Sequence, residues 1–177
     1  MHIFDTVFEL INMRSFSNLW YWIALAVTWS SASHWVLGVP FDMVLRARRK
    51  GGRAAEDLVT LTRVNVARLL TIGREGGVVL SVGVSFVLAC LGVLGFGYGM
   101  EFAQAVFLIA FPLSFVGLLS LRAAARFEPL LNDGIAPDAL ARLLARHRVS
   151  IQAVGMVAIL VTTMWGMLHN FSISVLN

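Results

Sequence analysis

The stretch NLWYWIALAVTWSSASHWVLGVPFDMVLRARRKGGR, Asn18 to Arg53, decides the fold class. From Leu19 to Val39 it holds no Asp, Glu, Lys or Arg, and then Arg46, Arg48, Arg49, Lys50 and Arg53 crowd around Gly51-Gly52. A core helix needs one apolar stripe, whereas a bilayer span needs about 20 residues apolar on every side. The run therefore reads as a membrane-spanning helix that passes directly into a basic segment. Trp20, Tyr21 and Trp22 at its start and Trp35 near its end suit the two headgroup levels, where rings with one polar atom settle. Pro40 lies at the exit, where a missing backbone donor bends the helix onward. Gly51-Gly52 then stops it.

The rest of the chain agrees. Of 177 residues, 58% are hydrophobic and 14% charged, and the mean hydropathy is +0.79. A soluble fold of this size would lack the polar residues to cover its surface. Cys90 is the single cysteine, which excludes an internal disulfide framework. An isoelectric point near 10 would suggest nucleic acid in a soluble chain. Here the bases flank apolar spans, so topology explains them and nucleic acid is not expected.

Upstream, residues 1–17 are expected to form an outer interfacial helix. Ile3, Phe4, Val7, Phe8, Leu10 and Ile11 share one side, and Asp5, Glu9 and Asn12 the other. The basic n-region of a signal peptide is missing. Ser15 or Ser17 is positioned to cap the first span. Downstream, 40–77 is a basic segment. Its part from Ala54 to Ile72 is an amphipathic helix that either lies on the bilayer surface or extends the second span as a stalk. Gly73, Gly76 and Gly77 mark a hinge before that span, at 78–97. A tight turn with Gly95, Gly97 and Gly99 leads to the third span, 102–121, with a kink expected at Pro112. Pro129 and Asn132-Asp133-Gly134 read as a loop in a second basic segment, 122–149. Pro137 then starts a helix, at the position where a missing N–H costs least. That helix continues into the fourth span, 150–168.

Orientation follows from the bases. Thirteen of the 14 lie in two segments, Arg46 to Arg74 and Arg122 to Arg148, which four spans place on one side. The positive-inside rule makes that side the cytoplasm. With acids counted, it carries +6 against −2 outside. Both termini then face outward.

Chemistry is sparse. Ion-coupled transport needs ionisable groups deep in the bilayer, and the central spans hold no Asp, Glu, Lys or Arg. Glu101 reads as a solvated acid of the outer turn. His34, about one turn from the inner boundary, and His147, at the inner mouth of the fourth span, are the candidate cofactor residues. Two imidazoles at similar depth suit a haem or a quinone carbonyl. The plainer reading gives each a neighbouring Ser, carbonyl or headgroup as partner. His2 and His169 fall at the opposite face. Cys90 reads as a packing residue, inert in an apolar run. Ser30, Ser31, Ala32 and Ser33, then Ser81 and Ser85, then Ser114 and Gly117 let helices approach closely. They serve packing within the bundle or docking to another membrane protein. Gln104 and Gln152 are expected to bridge helices. Arg46, Arg48, Arg49, Lys50, Arg53, Arg142, Arg146 and Arg148 are the candidate partner or lipid-headgroup residues. Each base near an anionic leaflet gains about 1 kcal/mol. A docking surface for an acidic soluble partner is the sharper alternative. No glycine loop, triad or carboxylate pair supports an enzyme.

MRSFSNLWYWIALAV (Met13 to Val27) and SHWVLGVPFDMVLRARR (Ser33 to Arg49) resemble a family of small proteobacterial membrane proteins labelled as a component of the SufBCD complex, the iron–sulfur assembly scaffold. The likeness extends through EFAQAVFL (Glu101 to Leu108) and the MWG at Met164 to Gly166. It implies a membrane anchor or accessory to iron–sulfur assembly. A lone Cys90 departs from what cluster ligation needs, so the implied role is docking.

The expectation is thus an all-α four-helix bundle in the bacterial inner membrane, with amphipathic cytoplasmic segments. It is a non-catalytic accessory or scaffold subunit that meets membrane lipids and a larger protein complex and needs no cofactor. A haem- or quinone-associated redox protein and a small transporter are the alternatives.

Overall fold

A computed structural model describes Phe16 and residues 19–175, with side chains as far as Leu168. The interfacial helix expected over 1–17, the caps Ser15 and Ser17, and the rings of His2 and His169 lie outside that description. The elements are α1 (Leu19–His34), β1 (Trp35–Val36), β2 (Val39–Pro40), α2 (Phe41–Lys50), α3 (Gly52–Gly92), α4 (Glu101–Asn132) and α5 (Pro137–Val175). A π-helical turn, Val93–Gly97, ends α3. The fold is all-α apart from the two-residue ribbon. Gly52–Gly97, Glu101–Asn132 and Pro137–Leu168 are long and apolar enough to cross a membrane.

The first span departs from expectation. Hydropathy predicts a helix to Val39, but α1 has 16 residues and stops at His34. At 1.5 Å per residue that is about 24 Å, short of a hydrocarbon core of about 30 Å. Leu37 and Gly38 both take positive φ, 53° and 73°. Two such residues make the reversed turn that suits the twist of a two-residue hairpin. Trp35 then faces Pro40 and Val36 faces Val39 in antiparallel register. The ribbon turns the chain back, so α2 does not extend α1. Burial drives this break, for Val36, Leu37 and Val39 are all fully enclosed. Asn65 on α3 secures it, donating from Nδ2 to the Gly38 carbonyl at 3.0 Å.

Gly51 ends α2 as expected. At φ 59° it takes the conformation an L side chain resists, and its N–H donates to the Ala47 carbonyl. The helix after it is one piece of 41 residues. The stalk reading is therefore the observed one. Gly73, Gly76 and Gly77 form no hinge, because they sit inside an unbroken helix. Gly73 instead allows close packing: a Cβ there would stand 3.1 Å from Cδ2 of Leu121. Likewise α4 runs through both Pro112 and Pro129, so the expected loop begins only after Asn132. Pro137 starts α5, which continues without interruption into the last span.

The larger of two apolar cores lies at the basic end. Ala55, Leu58, Val66 and Leu70 repeat at helical spacing along α3 and bury one stripe. Onto it pack Val44 and Ala47 of α2, Ala124, Phe127 and Leu131 of α4, and Leu140 and Leu144 of α5. Each fully enclosed leucine contributes roughly 1.5–3 kcal/mol relative to exposure. A smaller core joins α1 to the bundle through Leu25 and Trp29, Val116, Ile151 and Ala158. Gly155 of α5 passes directly beneath Trp29, where a Cβ would approach Cε3 to 2.8 Å.

Candidate functional site

The polar groups at the end opposite the bases are structural. Glu101, expected to be a solvated acid, is only 8% exposed. Its Oε1 accepts from the Phe16 N–H at 2.7 Å, which removes it from water and fixes the approach to α1. Gln104 bridges elements as expected. Nε2 donates to the Gly95 carbonyl at 2.8 Å, and Oε1 accepts from Trp165 Nε1 at 3.0 Å. The π-helical turn must come close for this, and a Cβ on Gly95 would meet the Gln104 backbone nitrogen at 2.9 Å. Phe96 adds edge-on contacts with Phe107 and Trp165. Gln152, expected to act similarly, is exposed on α5.

His34 and His147 occupy different settings. His34 ends α1, is exposed and packs edge-on against Trp35. His147 is buried between α4 and α5, and its Nε2 lies 3.3 Å from Ser120 Oγ. That contact gives the ring the neighbouring serine partner of the plainer reading. Burial also lowers the His147 pKa below the usual histidine value, so the ring is neutral at pH 7. No group of three or more His, Cys, Asp or Glu able to hold a metal occurs among the described residues.

The base-rich surface divides by partner. Arg46 pairs with Asp42 one turn back at 3.2 Å, and both are exposed. Arg74 reaches from α3 to Glu128 on α4 at 2.8 Å. Arg63 donates to the Leu131 carbonyl at 2.9 Å, meeting an acceptor that the α4 C-terminus leaves without a helical partner. Arg148 is part of the packing, with its guanidinium carbon 3.8 Å from the Phe41 ring centre. Arg48, Arg49, Lys50, Arg53, Arg142 and Arg146 are exposed. Arg122 and Arg126, counted in the sequence only among the bases of the second basic segment, line a cavity of about 510 Å³ with Arg146, His147 and Ser150. Sequence spacing shows the α4 pair at i, i+4. Only the packing of α4 against α5 brings Arg146 to it.

The least enclosed element is the distal half of α3. None of its most apolar 18-residue stretch is buried. Ser81 and Ser85, expected to serve packing within the bundle or docking, are exposed together with Ala89 one turn further on. Val78, Val79, Val82, Phe86 and Val87 are exposed beside them. Ser114 bonds only its own helix at Phe111, and Gly117 is exposed. Cys90 is partly exposed on the same stretch of α3.

Comparison with protein-family models, with curated proteins and with solved structures finds no match to this chain.

Proposed function

We propose that the protein is a non-catalytic accessory subunit of a membrane complex, docking to a transmembrane helix of another protein through the distal half of α3. The observation that carries this reading is the exposed ladder Ser81, Ser85 and Ala89 on α3, whose most apolar 18-residue stretch has no buried residue. Lipid tails are as apolar as a helix face, so hydrophobicity alone does not pair helices inside a bilayer. Close backbone approach does, and small residues four apart provide it. In this reading α1, α3, α4 and α5 all insert, with α1 short and the bilayer thinned around it. The two basic segments face the cytoplasm, both termini face outward, and the membrane is the bacterial inner membrane. The family resemblance of the sequence makes the iron–sulfur assembly machinery the first partner to test, with the exposed α2 bases available to an acidic soluble partner.

A photo-cross-linking amino acid at Ser85, activated in cells, tests this. One discrete adduct with another membrane protein is expected, and Ser81→Leu/Ala89→Leu should abolish it while the purified subunit keeps its melting temperature. Adducts with lipid alone, or with a second copy, would overturn the reading.

A further inference from the structure

Two openings between α4 and α5 lie end to end along the helix pair and are chemically different. The first is an apolar hollow of about 370 Å³ walled by Phe107, Phe111, Phe115, Val154 and Val157, with almost no polar surface. The second is the cavity holding Arg122, Arg126, Arg146 and His147. Their linings follow a single stripe on each helix. On α4 the stripe runs 107, 111, 115, 119, 122, 126, and on α5 it runs 161, 157, 154, 150, 147, 143. Steps of three and four keep one face of a helix, so the hollow and the arginines lie in line on the same face of the pair.

The charged end has no internal counter-charge. Its lining includes no Asp or Glu. Glu128, the nearest acid in sequence, is held by Arg74 on α3. Three guanidiniums so placed suit a phosphate oxygen set, which they bind by paired N–H donors. The spacing suits an amphiphile. From Arg122 to Pro112 is ten residues, about 15 Å of helix, and so is the rise from His147 to Val157. That equals the hydrocarbon depth of one leaflet, about half of 30 Å.

We propose that the α4–α5 groove binds one anionic glycerophospholipid, its phosphate among Arg122, Arg126 and Arg146 and one acyl chain along Phe107–Phe115 and Val154–Val161. Ser150, whose hydroxyl donates to the Arg146 carbonyl at 3.3 Å, lies at the junction beside the glycerol ester region. The exposed surface of α3 plays no part, so this site shares only the membrane placement with the docking role. A failed Ser85 cross-link leaves it intact.

The test measures retention of phosphatidylglycerol by the full chain in mild detergent, using native mass spectrometry. One molecule per chain is expected, at least ten-fold preferred over phosphatidylcholine with the same acyl chains. Arg122→Gln/Arg126→Gln should reduce retention about ten-fold, with the melting temperature in lipid-free detergent unchanged because both side chains are exposed. Val157→Trp should reduce it as well by filling the chain end. Arg68→Gln on α3, an exposed base outside the groove, should have no effect. Equal retention of the two lipids, retention insensitive to the groove arginines, or equal loss on changing Arg68 would each overturn the proposal. So would displacement by inorganic phosphate at the same concentration as phosphatidylglycerol, which would make it a free-phosphate site.

Discussion

Leu37 is the residue at which two local rules conflict. A leucine at φ 53° carries a backbone cost of roughly 1–2 kcal/mol that glycine would avoid. Its side chain is nonetheless buried, and removing such a group costs about 2–5 kcal/mol. Burial outweighs the backbone cost. Leu37→Gly should therefore destabilise the protein by about 1–3 kcal/mol in spite of relieving the turn, read as a lower melting temperature in detergent. A gain in stability would mean that the turn, not the packing, limits this region. His147 poses the corresponding question for charge. Its pKa is lowered by burial, so the unfolded ring binds a proton at a pH where the folded ring does not. Arg122, Arg126 and Arg146, which line the same cavity, share the sign of a protonated ring and offer it no partner. The stability it contributes is full above the unfolded pKa of about 6.5 and is lost as pH falls from there toward the lower folded value. Melting curves from pH 7.5 down to pH 5 should show that loss, and His147→Gln should remove part of it.

At the scale of elements, α3 shows how packing overrides glycines in a helical run. Three within five residues, Gly73, Gly76 and Gly77, suggest a hinge because each lowers helix propensity by about 1 kcal/mol. A long stripe of packing below and an apolar span above both favour continuing the same helix, and together they exceed that local preference. Gly77 faces open space, with nothing near a Cβ. Gly77→Ala is expected to stabilise the protein by about 0.5–1 kcal/mol without affecting the Ser85 cross-link, since no bending is needed there. Loss of the cross-link in that variant would show that the helix must flex for docking. The same reasoning covers Pro129. A proline inside a helix costs one hydrogen bond, yet Phe127 and Leu131 on either side are buried and hold the final turn in place.

For the whole molecule, the bases and the cores are separated along the helix axes. The larger core, the ribbon and nearly all exposed bases share one end, whereas the aromatic and amide network around Gln104 and Trp165 occupies the other. Such an asymmetric charge distribution makes orientation in a bilayer a strong prediction of the positive-inside rule. Fusions at the C-terminus should therefore give an active alkaline phosphatase and a dark green fluorescent protein, and fusions at Gly51 the reverse. Swapped results would invert the topology and place Arg122, Arg126 and Arg146 in the outer leaflet.

The sequence by itself determined the all-α class, the three long apolar stretches, the Gly51 stop and the Pro137 start. All of these rest on local composition, hydropathy length and residue-specific backbone limits, which act within a few turns of chain. Tertiary structure decided the rest. The end of α1 at His34 depends on a distant core that accepts Val36, Leu37 and Val39, and on Asn65, 27 positions from the carbonyl it holds. Glu101 became buried because Phe16, 85 positions away, meets its carboxylate. The groove arginines face Arg146 only because two helices pack side by side. Contacts of this kind join residues with no sequence relation, so periodicity and propensity carry no trace of them.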